Sequence, residues 1–330
     1  MKKLIVKNYI IEINNSFNTS NFNNLDECRE LFDEISTFYS FIQLESERFG
    51  ILTLEYDWSN LYKLLDIQSN STSHLTVTCN VSCIEIESTI QVQYRNLFTH
   101  YLEMNLYDFF LILNFSVPGC FTLCPTKLHD GTGHVINFKV DSAIFESSCY
   151  KSGLLEWPTI SKVPLKITVN WYKSLKMSNK QISASNIERT IFAILNFCEI
   201  DSINPCSIIW LAHALEAIFN INTGGIQKTL SDRIFLTLGK PSLNTKKIKK
   251  VIIDFYSFRS RFVHGDFNIH HPSQNEVLDK NIEDYINNIL NTQANIFKIL
   301  LSTIQKMILS NCINIEFKEQ IILHPTIEKS

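Results

Sequence analysis

The spacing of apolar residues changes character partway along the chain. In the first half a period of two dominates. Lys3 to Ile13 holds two blocks of strand formers, Leu4-Ile5-Val6 and Tyr9-Ile10-Ile11. Leu75 to Cys83 alternates without a break, with Leu75, Val77, Cys79, Val81 and Cys83 on one face. Ile84 and Ile86 then take over the apolar role, a one-residue phase shift that predicts a bulge. Phe38 to Leu44 and Phe49 to Tyr56 predict a hairpin across the polar turn Glu45 to Arg48. Ile90 to Tyr94, Asp108 to Phe115, His134 to Val140 and Leu165 to Trp171 are further strand candidates. One helix interrupts them: Leu25, Cys28, Leu31, Phe32 and Ile35 fall at helical spacing.

After Met177 and the polar stretch Ser178 to Ser185, the period becomes helical almost to the end. Ser185 and Glu188 form a capping-box pair for a helix over Asn186 to Ile200. Pro205 introduces a second helix, Cys206 to Phe219, and Gly224-Gly225 breaks the chain after it. A third helix, Ile226 to Leu238, stops at Gly239 with Pro241 just beyond. A fourth starts at Asn244 or Thr245 and ends at Gly265, followed by a loop over Asn268 to Asn275. Glu276 to Leu309 is one long helix or two broken near Asn291-Thr292, and the tail from Asn311 to Ser330 adds a short strand or helix. The expected fold is α+β: an antiparallel β-rich domain over 1–177, as a sandwich or a partly open barrel, then an all-α helical bundle over 178–330.

Composition narrows the function classes. The 330 residues are 45% hydrophobic and 19% charged, as in a globular chain and unlike a disordered one. A net charge of -3 means that nucleic-acid contact has to come from a local patch. Lys7 and Glu12 interrupt the first apolar run, which is therefore not a signal sequence. No transmembrane span is expected, since Asn114, Pro118 and Gly119 break the most apolar stretch. Nine cysteines then fit reduced thiols in a cytoplasmic protein. Cys79 and Cys83, with Cys120 and Cys124, are spaced in pairs ahead of His129 and His134, which keeps a zinc site open. Free cysteine on the apolar face of a strand is the commoner arrangement, so no metal or cofactor is expected. No phosphate-binding glycine loop, dinucleotide fingerprint, serine elbow or zinc-protease motif occurs.

The candidate chemistry lies in the fourth helix. Val251, Phe255, Phe258 and Phe262 form its expected core stripe, with Ile252, Tyr256 and Val263 on the shoulder. Arg259 also lies on that shoulder among apolar neighbours, where a guanidinium has to be paired or aimed into a groove. His264 is the last residue before Gly265, and an imidazole is the usual general acid or base. Five residues of helix turn about 500° and rise about 7.5 Å, so Arg259 and His264 do not share a face. A second copy of the helix would bring them together more easily, which predicts a composite site at a symmetric dimer interface. Lys240, Lys246, Lys247, Lys249, Lys250 and Arg261 make the same stretch basic, opposed only by Asp254. Glu216 is expected to pair with Arg259 or Arg233, or else to orient the arginine of the site.

Arg259-Ser260-Arg261-Phe262-Val263-His264-Gly265 resembles the signature of HEPN domains, especially their Apea-like branch. Trp210 to Phe219, with Glu216 embedded, is similar to that branch's apolar helix, and Ser231 to Gly239 resembles the helix that follows. The likeness spans roughly residues 185 to 310. It implies a dimeric helical bundle and a metal-independent endoribonuclease of anti-phage defence or toxin-like growth arrest. It also implies a phage-derived or cellular trigger at the N-terminal domain. By that resemblance Arg259, His264 and Ser260 are the catalytic residues, with Ser260 standing where the family often has asparagine. Arg261, Lys246, Lys247 and Lys250 are the expected RNA contacts, and Glu216 is structural or orienting. The alternative is a non-catalytic HEPN scaffold or RNA-binding module.

Overall fold

The computed structural model describes residues 4–318, apart from 15–16, 19–20, 23, 47–48, 66–73, 85–93, 152–153, 202, 222–225, 242 and 276. Its first half is one six-stranded antiparallel sheet: β1 (Leu4–Asn14), β2 (Phe41–Ser46), β3 (Gly50–Asp57), β4 (His74–Ile84), β5 (Lys127–His129) and β6 (Val135–Asn137). The order across the sheet is β2-β3-β4-β1-β5-β6, so it opens at β2 and β6. The alternation predicted for β4 holds: Leu75, Val77, Cys79, Val81 and Cys83 are buried with Tyr9, Ile11 and Ile13 of β1. The opposite face, with Leu4, Val6, Ile10 and Ile84, is exposed. Ile84 pairs with Leu4 in unbroken register, while Ile86 and the strand expected from Ile90 lie outside the described residues.

The expected sandwich or barrel is corrected to a single open sheet whose inner face is covered by a helix. That helix, α2 (Tyr94–Ser116), contains the segment Asp108 to Phe115 read above as a strand. An apolar run of eight residues has no period that separates a strand from a fully buried helix. The strands hold α2 through polar groups as well as packing. Tyr9 and Thr99 share a hydroxyl hydrogen bond of 3.0 Å, and the Tyr56 hydroxyl donates to Asn105 Oδ1 at 2.6 Å. The Tyr39 hydroxyl donates to the Asn105 carbonyl at 3.2 Å. Tyr39 follows α1 (Leu25–Phe38), whose first turn is capped by Asn24 accepting from the Glu27 N–H.

Two short helices follow, α3 (Ala143–Tyr150) and α4 (Leu165–Ser174). The second corrects another expected strand. Ile167, Thr168 and Val169 carry strand propensity, but Leu165, Thr168, Val169, Trp171 and Tyr172 are buried at helical spacing. Pro164 immediately before the helix suits its start. The helices of the second half are α5 (Asn186–Glu199), α6 (Ser207–Ile218), α7 (Ile226–Leu238), α8 (Thr245–His264) and α9 (Asn281–Leu309). The capping box at Ser185 and Glu188 forms as expected. Burial works against the Glu188 carboxylate, but the Lys180 ammonium and the N–H groups of Ala184 and Ser185 outweigh it and hold the group down to about 2. The long helix is a single piece through Asn291 and Thr292, and it starts at Asn281 because Val277 and Leu278 are exposed.

α9 is the centre of the molecule. It packs against α2, α3, α4, α6, α7 and α8, and every residue from Gln293 to Gln305 is buried. One stripe of it is polar. Asn295 Oδ1 accepts from the Leu155 N–H at 2.8 Å, and Lys298 Nζ donates to the Leu155 carbonyl at 2.7 Å. Ser302 donates to the Thr159 carbonyl. Gln305 accepts from the Ser161 N–H and donates to the carbonyls of Ser161 and Phe115. These bonds satisfy an irregular backbone, Leu155 to Ser161, that has no ladder of its own. The buried cluster runs from Tyr9 to Ile308 and crosses residue 177 without a break.

Two outcomes follow from this core. Gln305→Leu leaves the buried Phe115 carbonyl unpaired and removes the partner of the part-buried Ser161 N–H and carbonyl, and should cost about 2 kcal/mol in a urea unfolding curve. The second concerns Asp108, which accepts from the Tyr172 hydroxyl at 2.6 Å while burial pushes its carboxyl up to about 7. The folded chain then holds a proton that the unfolded chain, near 3.8, has already lost. Stability should therefore fall as pH rises from about 4 to about 7. Asp108→Asn should flatten that slope in urea midpoints measured across the window. Glu188 acts with the opposite sign, losing its contribution as pH falls from 4.5 towards 2, below the window where Asp108 acts.

Candidate functional site

α8 presents two faces with different chemistry. Its buried stripe is Ile248, Ile252, Phe255 and Tyr256, which corrects the stripe expected above. Phe258 and Phe262 are only half-buried, and both pack on Phe267, just past the helix end. Val263 is 53% exposed. The shift is a rotation of the helix towards α6 and α9, and it turns Arg259 inward. At 100° per residue, Arg259 projects within about 40° of both Ile252 and Phe255, on the packed side.

Arg259 meets α6 there. Its Nε, Glu216 Oε1 and the Tyr256 hydroxyl are buried atoms with no hydrogen-bond partner. Tyr256 and Glu216 couple through a side-chain contact as well as through charge, and Arg259 acts on Tyr256 through its charge. Burial, then the Glu216 carboxylate, pushes the Tyr256 phenol far above its ordinary range, and the Arg259 guanidinium opposes the shift. No ion pair within 4 Å joins Glu216 to Arg259 among the described residues. Arg233, the other expected partner of Glu216, is committed elsewhere. It donates to the carbonyls of Phe219 and Asn220 at the end of α6 and lies 4.7 Å from the Phe317 ring centroid. An unpaired buried polar atom costs roughly 1–3 kcal/mol.

His264 points the other way. The helix is continuous through both residues, so Arg259 and His264 leave it about 140° apart. Lys246, Lys250, Ser257, Ser260, Arg261 and His264 all fall within a sector of about 100°, and all are exposed. The sector runs about 27 Å along the helix. Ile253, 47% exposed, interrupts it, and Lys247 and Asp254 flank one side. Gly265 closes the helix at φ +81, a conformation that favours glycine, and the Asp266 N–H returns to the Arg261 carbonyl at 2.8 Å. Arg261 braces this turn, with its guanidinium 5.6 Å from the Phe267 ring centroid.

The structure thus gathers Ser260, Arg261, His264, Lys246 and Lys250 on one exposed face, with Lys247 at its margin. It sets Arg259 on another, the side that packs on α6, which carries Glu216. Tyr256 is the member that the sequence reading placed only on the helix shoulder; its spacing of three residues from Arg259 was the available signal. His213 is exposed on α6, and His271 Nδ1 accepts from the Ser273 N–H, so neither joins the cluster. His270 packs on Tyr285 of α9. Among the described residues no group of three His, Cys, Asp or Glu is placed to hold a metal ion. Cys79, Cys83 and Cys120 are buried in the core and Cys124 is exposed. No described helix is long and apolar enough to cross a membrane. Comparison with protein-family models, curated proteins and solved structures gave no match to this chain.

Tyr256→Phe removes a buried hydroxyl that makes no well-formed hydrogen bond. It should leave stability unchanged or raise it by about 1 kcal/mol in denaturant unfolding. A loss of more than 1 kcal/mol would mean that the hydroxyl is bonded after all.

Proposed function

We propose that this chain is an HEPN-type endoribonuclease that works without a metal ion, as a symmetric dimer. The observation that carries the reading is the division of α8 into an exposed basic face ending at His264 and an inward Arg259 with an unpaired Nε. The basic face suits an RNA backbone, whose phosphates are met by Lys246, Lys250 and Arg261, with Lys247 beside them. A second copy of α8 supplies what one helix cannot, an Arg259 near the first copy's His264.

At such a site the RNA 2′-hydroxyl attacks the adjacent phosphorus. His264 accepts its proton, and the bond to the 5′-oxygen breaks as that oxygen takes a proton from the second copy's His264 or from water. The products are a 2′,3′-cyclic phosphate and a 5′-hydroxyl. Arg259 neutralises charge on the phosphoryl oxygens as it develops. Glu216 and Tyr256 set the electrostatic surroundings of the guanidinium, and Ser260, one turn from His264 on the same face, contacts the backbone. The proposed setting is anti-phage defence or toxin-like growth arrest in the cytoplasm, with a trigger acting on the N-terminal half.

A second reading, a non-catalytic RNA-binding or scaffolding module, is favoured by the 140° divergence of Arg259 and His264 within one chain. Mixed dimers decide between the two. Arg259→Ala and His264→Ala should each lose about 10²–10⁴-fold of RNA cleavage measured in EDTA. Co-expressed, they should recover part of it, because a composite site is intact once in each heterodimer. Binding without cleavage by the wild type would support the module. Cleavage by the wild type with no recovery in the heterodimer would place both residues' work within one chain.

A further inference from the structure

A second concavity lies apart from α8. It is a groove of about 1400 Å³ between β2, the first half of α2 and the segment that follows α4. Small-molecule pockets occupy about 300–1,000 Å³. All six residues of β2, from Phe41 to Ser46, line it, whether their side chains point into the core or out of it. A groove touches both sets only if it runs along the free edge of the strand. β2 is the terminal strand of the sheet, and among the described residues no strand pairs with its far side.

The register tells which backbone groups face the groove. The Tyr56 N–H donates to the Ser40 carbonyl, so the ladder bonds with β3 fall on Ser40, Ile42 and Leu44. In an antiparallel pair the alternate residues then direct their N–H and C=O groups outward. These are Phe41, Gln43 and Glu45. They present donors and acceptors that repeat about every 6.8 Å, the repeat of an extended polypeptide. The opposite wall is cationic. Lys173 and Lys176 are exposed and in no ion pair among the described residues, and Lys180 is the third ammonium there. Glu45 is the one carboxylate in the lining.

We propose that this groove binds an extended acidic peptide segment, which adds to the sheet as a strand beside β2 with its carboxylates towards Lys173 and Lys176. The strand edge selects polypeptide over nucleic acid, and the lysine wall selects acidic side chains. The wall continues into Ser178 to Gln181, and Lys180 of that stretch pairs with Glu188 in the first turn of α5. A docked peptide therefore touches the segment that starts the helical half.

The probe is an end-blocked octapeptide of alternating glutamate and valine, fluorescently labelled and titrated with the full-length protein in low salt. It should bind with a Kd of micromolar to millimolar order. Lys173→Glu combined with Lys176→Glu should weaken it roughly tenfold. Gln43→Pro should abolish it, because it removes an outward N–H at an edge position where proline is tolerated. Should that variant unfold, the peptide itself carries the test. Of two versions N-methylated at alternate positions, odd or even, one should lose binding and the other keep it. No binding at millimolar peptide would overturn the proposal. So would binding indifferent to both lysines, equal binding of the two methylated peptides, or displacement by oligouridylate that depends on the same lysines.

Discussion

The polar stripe of α9 is the constraint on which the rest of the molecule rests. A helix buried on every side normally carries only apolar residues. This one brings Asn295, Lys298, Ser302 and Gln305 into the interior, and each answers a main-chain group of Leu155 to Ser161 or of Phe115. Without those answers the irregular segment could not lie against the core, where its Leu155 and Pro158 are buried, because the main-chain groups turned towards α9 would lose water for nothing. α3, α4, α6, α7 and α8 all pack on this one helix. The position of α8, and so the direction in which Arg259 points, follows from that arrangement.

The two ends of the proposed chemistry are handled differently by the fold. Arg259 is held in the seam with α6, where its neighbours leave polar atoms unpaired. His264 stands on a helix end in solvent. Such a division is wasteful in a lone chain. It becomes economical if the active arrangement exists only when two copies meet, since the isolated chain would then have no competent site. On the proposed reading, assembly itself would be the safeguard against unwanted cleavage.

The helical half was the more legible part of the sequence. Ser185 with Glu188, Gly239 and Gly265 are local signals with local causes, and each ends or starts a helix where the chain says it should. The sheet's inner face was legible in β4 for the same kind of reason. Asp108 to Phe115 and Leu165 to Trp171 were not, because burial on all sides erases the period in the first and β-branched residues imitate a strand in the second. Strand alternation also does not say whether a helix or another sheet lies above it, which is why a sandwich seemed natural and a single sheet with α2 across it is found. Helical arithmetic showed that Arg259 and His264 diverge. It did not show that Tyr256 would share the arginine's seam, since that depends on how far α8 is rotated against α6.

The place of α9 in the chain has its own consequence. Every helix it touches precedes it, so during synthesis the surfaces that will close around it are made first and wait. The sheet and α2 can meet early, and α5 and α6 can pair. The two assemblies meet through contacts such as the Asp141 N–H on the Cys198 carbonyl, but their shared core closes only when α9 leaves the ribosome. A nascent chain of this protein therefore carries a long-lived apolar trough, and it should depend on chaperones for longer than its length alone would suggest.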